Sequence, residues 1–491
     1  SRDKFPGNDL PYLNAGSPDN QKSVGTGNAW AIQSGFGRLR YNFNERYLFE
    51  STVRYDGSSR FPKSKKFGFF PSLAAGWRLS EENFFKENES LGFISNLKLK
   101  ASWGRLGNQN IGNYPYQSVY ELGQNYPFGD TYTQGAAVTT AVDPTIKWEE
   151  TETIDGGLEA ILWNGLLSVN ASYFTRRTYD ILYKPSGSVS SVLGQKISEM
   201  NTGELKNFGW EFEVGHRNKI GDVSYNVNAN LSIIKNKLTT LGVGNVEQLN
   251  GLVGNGSDLF VGYPINMYYG YLSDGVFLDE NDIKGWHDQS KVTPNPQPGD
   301  IRYKDISGPD GVPDGKIDPN YDRVYLGSRI PKFTFGLNLG VEYKGVDLSV
   351  LLQGVAGVTG MLDGFAGWAF RGDGNIQKWQ AEGRFDPANP TRYPAYPRLE
   401  DLSNSVTPNI VSSDFWVQDA SYIRLKNIQL GYSFPKKMLQ AAKITNLRVY
   451  VQAENPLCWN KYKPGWDPEI NTSGNYYPIL ATYTIGVNFK F

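Results

Sequence analysis

The feature that most constrains the fold of this chain is a strict alternation of apolar and polar residues. In the segment VSYNVNANLSI, Val223 to Ile233, every odd-numbered residue is apolar and every even-numbered residue is Ser or Asn. A second copy, FTFGLNLGVEY, runs from Phe333 to Tyr343. Because successive side chains of a β-strand point to opposite faces, both segments predict strands with one apolar and one polar face.

Similar alternating segments recur along the whole chain. With the two above they predict about thirteen strands, and the others begin near Leu39, Tyr47, Phe67, Leu97, Ile154, Leu167, Phe208, Val346, Ile428, Leu447 and Tyr483. Aromatic residues make up 14% of the chain, and 54 Gly and 27 Pro supply turns, which fits an all-β protein. No clean apolar run of about 18 residues is present, so a bundle of transmembrane helices is excluded.

The connections between the predicted strands alternate between short and long. Short turns are predicted at 163–165, 218–222 and 344–345. Long loops are predicted at 107–147, 178–204, 235–330, 356–420 and 455–480. Short turns at one rim and long loops at the other are typical of outer-membrane barrels, whereas soluble sandwiches are not expected to show this separation. The pattern therefore predicts a transmembrane antiparallel β-barrel with long extracellular loops.

Charge and composition exclude several functions. The 49 basic and 50 acidic residues give a net charge of -1, so no nucleic-acid partner is predicted. The single cysteine, Cys458, excludes an internal disulfide framework. Only His216 and His287 are available for a His-based metal site or a catalytic triad, so we predict that the protein is not an enzyme.

The last segment, ATYTIGVNFKF, carries a further signal. Its apolar face includes Tyr483, Phe489 and the terminal Phe491. This arrangement resembles the final strand that outer-membrane proteins present to the barrel-assembly machinery. An ordinary amphipathic strand with a chance terminal Phe is the alternative.

Four motifs point to a family. They are YDGSSRF (55–61), WGRLGNQ (103–109), KWEETETIDGGLE (147–159) and DASYIRLKNIQLGYSFP (419–435). In this order, and followed by the terminal Phe, they resemble the C-terminal part of SusC-like TonB-dependent outer-membrane transporters, the SusC/RagA family. The resemblance covers essentially the whole chain.

The resemblance implies both architecture and function. Members of the family are 22-stranded barrels with an N-terminal plug domain and a TonB box, and a SusD-like lipoprotein forms the lid. They import oligosaccharides, or peptides in the RagA-like branch, with energy delivered through the TonB complex. Residues 1–491 are then the C-terminal barrel portion, with the plug and the first strands outside this chain. The implied location is the outer membrane of a Gram-negative, Bacteroidota-like bacterium; a passive porin or a surface adhesin is the alternative of another class.

Candidate substrate residues lie in the loop 356–420, which the family orientation places outside the cell. Trp368, Phe370 and Trp379 could stack on sugar rings. Their polar neighbours Arg371, Asp373 and Asn375 could supply hydrogen bonds. The alternative is that these aromatic residues pack the loop itself or the lid. Most other aromatic residues, such as Tyr343, Tyr432 and Tyr483, are predicted to form girdles at the bilayer interfaces.

One acidic segment resembles a calcium loop. The predicted ligands follow the order of an EF-hand, in which oxygen atoms at alternate positions surround Ca²⁺; they are Asp305, Ser307, Asp314, the Lys316 carbonyl and Asp318. An insertion at 308–313 interrupts the spacing, and no Glu stands at the twelfth position. A metal-free loop ordered by Asx-turns is the alternative. No other cofactor is predicted.

The long loops also predict a partner. Aromatic clusters, Trp368, Phe370 and Trp379 in one loop and Trp459, Tyr462 and Trp466 in the other, would leave apolar surface in water unless another protein covered it. We therefore expect loops 356–420 and 455–480 to contact a SusD-like lipoprotein, in a dimer of transporter–lipoprotein pairs. The alternative is that the loops shelter their own aromatic residues.

Overall fold

A single large antiparallel sheet, called the wall below, dominates the computed structural model. The structure describes residues 27–133, 135–184, 191–242, 246–247, 252–255, 258–401, 407–440, 444–463, 465–470 and 477–491. The wall has thirteen strands, and each pairs with its sequence neighbour among them. They are β1 (Ile32–Phe43), β2 (Tyr47–Ser58), β3 (Phe67–Arg78), β4 (Ile94–Asn108), β5 (Glu149–Leu162), β6 (Leu167–Tyr183), β7 (Met200–Ile220), β8 (Val223–Thr240), β9 (Phe333–Tyr343), β10 (Val346–Ala356), β11 (Tyr422–Ser433), β12 (Asn446–Asn460) and β13 (Thr482–Lys490).

The predicted short turns lie at one edge of the wall and the predicted long loops at the other, but the connections 59–66, 79–93 and 434–445 do not follow the sorting by length. At one edge of the wall, the turn rim, strands are joined by the connections 44–46, 79–93, 163–166, 221–222, 344–345 and 434–445. At the opposite edge, the loop rim, lie the connections 59–66, 109–148, 184–199, 241–332, 357–421 and 461–481. The tight turn at Lys344 and Gly345 has both residues at positive φ, +48° and +88°, the pair of conformations that a two-residue hairpin of matching twist requires.

The strand register joins the apolar residues of neighbouring strands into one continuous face. Val227 on β8 lies opposite Leu339 on β9, and Ala229 lies opposite Leu337. Leu337 in turn lies opposite Leu352 on β10. The same pairing of apolar with apolar residues continues to β13, where Ile485 faces Val451. The predicted period of two is therefore confirmed as one apolar face across the wall, the face that a membrane-spanning barrel turns toward lipid.

Aromatic residues mark both borders of this apolar face. Toward the loop rim, Tyr173 and Trp210 pack with ring centroids 5.0 Å apart, and Trp210 is 48% exposed. Toward the turn rim, Tyr47 stacks on Trp77 at 6.5 Å. Tyr343 and Tyr432 also lie on the apolar face near the turn rim, and Tyr483 lies on it near the loop rim. Their placement agrees with the predicted girdles.

The opposite face of the wall is polar and carries cross-strand ion pairs. Glu50 binds Arg40 at 2.9 Å, Glu159 binds Lys100 at 3.0 Å, and Asp347 accepts a hydrogen bond from the Arg448 Nε at 2.9 Å. A face with charged and amide side chains suits a water-filled lumen and cannot be turned to hydrocarbon.

The connections at the loop rim contain short elements of their own. Their strands are Glu121–Leu122, Tyr126–Phe128, Thr131–Thr133, Ala136–Ala137, Thr140–Ala141, Lys196–Ile197, Val246–Glu247, Val253–Gly254, Met267–Tyr271, Ser273–Val276, Ile301–Tyr303, Arg323–Ser328, Thr359–Met361 and Val417–Asp419. Their short α-helices are Glu280–Lys284, Gly364–Gly367 and Lys378–Gly383, and their 3₁₀ turns are Lys63–Lys65, Ser191–Leu193, Arg371–Asp373 and Pro408–Ile410. The turn-rim connections contain the α-helices Asn83–Lys86 and Lys436–Leu439 and the 3₁₀ turns Leu79–Glu81, Glu89–Leu91 and Trp163–Gly165. No helix in the described parts of the chain is long and apolar enough to cross a membrane.

Strand boundaries differ from the predicted ones at the loop rim. β7 has 21 residues and β8 has 18, so both continue beyond the apolar segment that identified them. The last long loop begins at 461 rather than 455, because β12 extends to Asn460. Trp459 is therefore a wall residue opposite Ile423 on the apolar face, which corrects its assignment to the loop aromatic residues.

Candidate substrate site at the loop rim

Three of the loop-rim connections fold together into one packed unit, called the loop layer below. It comprises the described residues of 241–332, 357–421 and 461–481. Its core contains Tyr303, Tyr396 and Trp416, all fully buried. Tyr396 and Trp416 meet edge to face at 5.7 Å. Because these residues come from different connections, the layer is held by long-range contacts.

Buried ion pairs fasten the first two connections to each other. Asp300 binds Arg398 Nε at 2.5 Å and accepts a hydrogen bond from the Asn409 side chain at 2.7 Å. Burial raises the pKa of Asp300. Asp282 lies between Arg302, at 3.0 Å, and Arg392. Burial by itself would raise the pKa of Asp282, but the hydrogen bond and the charge of Arg392 outweigh burial and keep this pKa lower than usual.

The third connection is anchored to the polar face of the wall. Arg424 on β11 is 3% exposed in its side chain and binds Asp467 at 2.7 Å and Glu469 at 2.9 Å. The Tyr422 hydroxyl donates a hydrogen bond to Glu469 at 2.5 Å. An arginine buried to this extent requires its carboxylate partners, so residues 467–469 are held over the lumen.

A cavity, called the mouth pocket below, lies where these elements meet. It has a volume of about 260 Å³ and is lined in part by Tyr268, Arg329, Asp363, Tyr462 and Glu469. Arg329 and Tyr462 lie within four residues of wall strand ends, and Glu469 is bound by Arg424 and Tyr422 of β11, so the pocket adjoins the wall. A pocket with phenol, guanidinium and carboxylate groups can hydrogen-bond the hydroxyls of a sugar or the amides of a peptide.

The side chains of the mouth pocket are held in place by packing. The Arg329 guanidinium lies over the Tyr268 ring, 4.5 Å from its centroid. Burial raises the pKa of both Tyr268 and Tyr462, so both phenols stay neutral and can donate a hydrogen bond. Sequence reasoning missed this pocket. The only signal was that Arg329 and Tyr462 lie within a few residues of a strand end at the loop rim.

Two predicted stacking residues, Trp368 and Trp379, pack against the core of the loop layer. Trp379 meets Tyr396 edge to face at 5.4 Å. The Gln377 side-chain oxygen accepts hydrogen bonds from the Trp379 indole at 2.9 Å and from the Trp466 indole at 2.7 Å. The Trp466 hydrogen bond joins two connections of the layer, and the Lys463 ammonium lies 5.2 Å from the Trp379 ring centroid. These contacts agree with the alternative that the aromatic residues pack the loops themselves.

The other predicted substrate residues lie at the surface of the same segment. Phe370 is 37% exposed and has a left-handed backbone, with φ +56°. The Arg371 guanidinium lies 5.1 Å from the Trp368 ring centroid, and Asn375 is exposed. Asp373 lies in the 3₁₀ turn, but its side chain is outside the described residues. Whether these residues contact substrate stays a prediction.

The polar face of the wall offers a second recess, in the lumen below the loop layer. It has a volume of about 500 Å³, and strands β4 to β8 contribute to its lining. The lining mixes charged and uncharged polar residues, which are Lys100, Asp155, Asn170, Ser172, Glu211, Glu213, Asn230 and Ser232. These groups can hydrogen-bond a polar solute.

The acidic segment forms an ordered loop. Asp305 has a fully buried side chain; one oxygen accepts a hydrogen bond from the Gly315 amide at 2.6 Å, and Oδ1 has no hydrogen-bond partner. Asp318 contacts Lys291. Asp322, which sequence reasoning overlooked, accepts hydrogen bonds from the amides of Ile306 at 2.8 Å, Ser307 at 3.2 Å and Asp318 at 2.6 Å.

The predicted calcium ligands do not converge in this conformation. Asp314 accepts a hydrogen bond from the Lys316 amide at 3.0 Å, which is an Asx-type contact. Within the described ranges, no group of three or more His, Cys, Asp or Glu side chains could hold a metal ion. The unpartnered Asp305 oxygen fits a cation ligand, and calcium binding stays a prediction.

The last strand has the predicted alternation. Tyr483 and Phe489 lie exposed on the apolar face of β13, and Phe489 meets the terminal Phe491 edge to face at 5.2 Å. β13 and β1 are the two edges of the wall, each paired with a single neighbour among the described strands. A role of this strand in barrel assembly stays a prediction.

Comparison with known proteins agrees with this architecture. Residues 2–455 match the sequence model of the family described as TonB dependent receptor-like, beta-barrel. The chain is 30% identical to TonB-dependent receptor SusC of Bacteroides thetaiotaomicron, over 94% of this chain and 44% of that protein. It is 30% identical to TonB-dependent receptor P3 of Formosa agariphila, over 94% of this chain and 46% of that protein.

A solved structure has the same fold. The RagAB peptide importer in its open-open state superposes with a TM-score of 0.74 and 24% identity, over 99% of this chain and 50% of that chain. The chain thus spans about half the length of the proteins it matches.

Proposed function

This chain belongs to the TonB dependent receptor-like β-barrel family. On that premise, we propose that it forms part of the wall and the mouth of an outer-membrane importer of oligosaccharides. The family match over residues 2–455 carries this proposal. The family is one of transporters and receptors rather than an enzyme class. The remaining strands, the plug domain and the TonB box would be supplied by the rest of the protein.

The proposed transport path follows from the two faces of the wall. The apolar face would contact lipid, and the polar face would line the lumen. A solute would first contact the loop layer and the mouth pocket beside Arg329 and Tyr462. It would then pass the amide and hydroxyl groups of the wall recess, such as Asn170 and Asn230. Many weak polar contacts in series allow binding without trapping the solute.

We favour an oligosaccharide over a peptide on one observation, which concerns the relatives. The wall recess itself suits either substrate class, because it combines uncharged groups such as Asn170 and Asn230 with the charged side chains of Lys100 and Glu211. The relatives with 30% identity include a SusC receptor, which matches the family resemblance in the motifs. The peptide importer RagAB supports the alternative substrate class through its fold.

The proposed partner is a SusD-like lipoprotein that covers the loop layer. Exposed aromatic side chains of the layer offer a contact surface, since Phe365 is 46%, Phe370 37% and Tyr393 73% exposed. This set differs from the one predicted by sequence, because Trp368, Trp379, Tyr462 and Trp466 pack inside the layer. A dimer of receptor–lipoprotein pairs is the proposed assembly, and the TonB complex would act from the periplasmic side.

Uptake by whole cells tests the proposal. Cells that produce the intact receptor and its lipoprotein would be given fluorescently labelled oligosaccharide or peptide pools, with and without TonB. We expect accumulation of oligosaccharide that is lost without TonB. Uptake that persists without TonB would support a passive porin, uptake of peptides alone would support the peptide branch, and surface binding without uptake would support an adhesin.

A further inference from the structure

Lysine residues cluster on the apolar face just beyond its aromatic border at the loop rim. Lys206 on β7 lies directly opposite Lys237 on β8. Two residues further from the loop rim on each strand, Phe208 lies opposite Lys235. After two more residues, Trp210 lies opposite Ile233. The lysines therefore project from the same face as the residues proposed to contact lipid.

These lysines form no close ion pair with a described residue, unlike the charged residues beside them at the same edge. Arg177 binds Glu204 at 2.7 Å, and Lys147 binds Asp180 at 2.6 Å. Across the described residues, no carboxylate lies within 4.0 Å of Lys206, Lys235 or Lys237. Glu204 interacts electrostatically with Lys206 but is held by Arg177. Because like charges directly opposite each other on paired strands are destabilising, an additional anion from outside the chain would stabilise the Lys206–Lys237 pair.

Such an anion could bind in a nearby recess, called the lysine recess below. It is a cavity of about 340 Å³ between the wall and the loop layer, lined in part by Phe208, Lys235, Lys237, Pro264, Tyr325 and Lys332. The Lys332 ammonium lies 5.1 Å from the Phe333 ring centroid, and the Lys206 ammonium lies 5.7 Å from the Phe208 ring centroid. The recess thus combines cationic groups with aromatic surface.

The height of the recess matches the headgroup layer of a membrane. With a rise of about 3.4 Å per residue and a tilt of about 40°, Lys235 stands about 5 Å and Lys237 about 10 Å above Ile233. Below them the apolar face continues through Trp210, Phe212 and Leu231. An anion held by the lysines would therefore lie directly above a surface that binds acyl chains.

We propose that the lysine recess binds the phosphate group of a lipid in the outer leaflet. Basic pockets beside a membrane-spanning surface recognise phosphorylated headgroups in this way. The lysines neutralise the phosphate, while the apolar wall contacts the acyl chains, so a lipid satisfies both parts of the surface. This inference rests on the membrane placement proposed above but is independent of the imported substrate.

Lipid binding by the purified intact receptor tests this inference. The probes are lipid A with its phosphate, the dephosphorylated lipid A, phosphatidylcholine and inorganic phosphate alone, each added to receptor in detergent micelles and followed by native mass spectrometry and by affinity titration. We expect binding of phosphorylated lipid A only, because the choline ammonium balances the charge of the phosphodiester in phosphatidylcholine. With about 1 kcal/mol per basic residue near such a surface, Lys235→Gln/Lys237→Gln should weaken it about thirtyfold.

Two further variants control for loss of charge and for misfolding. Lys63→Gln/Lys65→Gln removes the same charge from an exposed loop-rim segment on another part of the wall and should bind normally. Lys235→Arg/Lys237→Arg keeps the charge and should retain binding. Equal affinity of the Gln variant, equal affinity for the dephosphorylated lipid, or an equal response to inorganic phosphate would each overturn the inference. Oligosaccharide uptake, measured in parallel, reports separately on the proposed function.

Discussion

Replacing Leu337 by arginine tests the orientation of the wall. Leu337 lies on the apolar face between Ala229 on β8 and Leu352 on β10. In β9 it is four residues from Phe333 and six from Tyr343. With a rise of about 3.4 Å per residue and a tilt of about 40°, it lies about 10 Å below the first and 16 Å above the second. These distances place Leu337 near the middle of a bilayer.

An arginine at that depth should destabilise the folded barrel by about 2–4 kcal/mol. The next residue, Asn338, provides a matched control, because it lies on the polar face opposite Asn228. Asn338→Arg would place the same group toward the lumen, where water hydrates it, and should cost less than about 1 kcal/mol. The adjacent pair thus separates the effect of the face from the effect of the substitution.

The measurement is the denaturant-dependent folding equilibrium of the intact receptor in lipid vesicles, for both variants and the parent. We expect a lower midpoint for Leu337→Arg and a nearly unchanged one for Asn338→Arg. The opposite order would show that the lumen and lipid faces are interchanged. Equal costs would show that neither face contacts hydrocarbon.

Four further results are expected. Tyr462→Phe should weaken substrate binding in titration about tenfold or less, since one hydrogen bond of roughly 1 kcal/mol is lost; an unchanged affinity would place the substrate elsewhere. The loop layer should become sensitive to proteolysis in acid. The lowered pKa of Asp282 adds stability above its unfolded pKa of about 3.9, and this stability is lost as the pH falls through the folded pKa. Asp282→Asn should remove this dependence, and identical pH profiles of parent and variant would contradict it. Calcium should raise the melting temperature of the parent but not of Asp305→Asn, and no shift in the parent would rule the site out. Phe365→Ser/Phe370→Ser should reduce co-purification of the lipoprotein, whereas full recovery would place the interface elsewhere.

The wall could be predicted from sequence because its information is local. The alternation in Val223 to Ile233 specifies both the strand and its two faces, and the register of the partner strand follows when Leu339 and Leu337 must share the apolar face. The tight turn at Lys344 and Gly345 adds a second constraint on the same hairpin. Each of these signals lies within a few residues along the chain.

The loop layer could not be predicted in the same way. The hydrogen bond from the Trp466 indole to the Gln377 side chain joins residues 89 positions apart, and no periodicity in the sequence predicts such a contact. The mouth pocket depends on Tyr268 and Arg329 of one connection converging with Tyr462 of another. An aromatic residue in a long loop therefore indicates packing as readily as binding, and only the folded geometry distinguishes these roles.

The acidic segment shows the same limit on a smaller scale. Its spacing pointed to Asp314 and Asp318 as ligands, but the carboxylate that orders the loop is Asp322, through three backbone amides. A carboxylate that accepts backbone hydrogen bonds and one that binds a cation look alike in a sequence.

The central claim, that the intact receptor with its lipoprotein binds an oligosaccharide for import, is tested most directly by isothermal titration of the purified complex against oligosaccharide pools and peptide pools. We predict saturable heat with an oligosaccharide pool that is reduced in the Tyr462→Phe complex, and none with peptides. Saturable binding of peptides, with no response to any oligosaccharide pool, would contradict the claim.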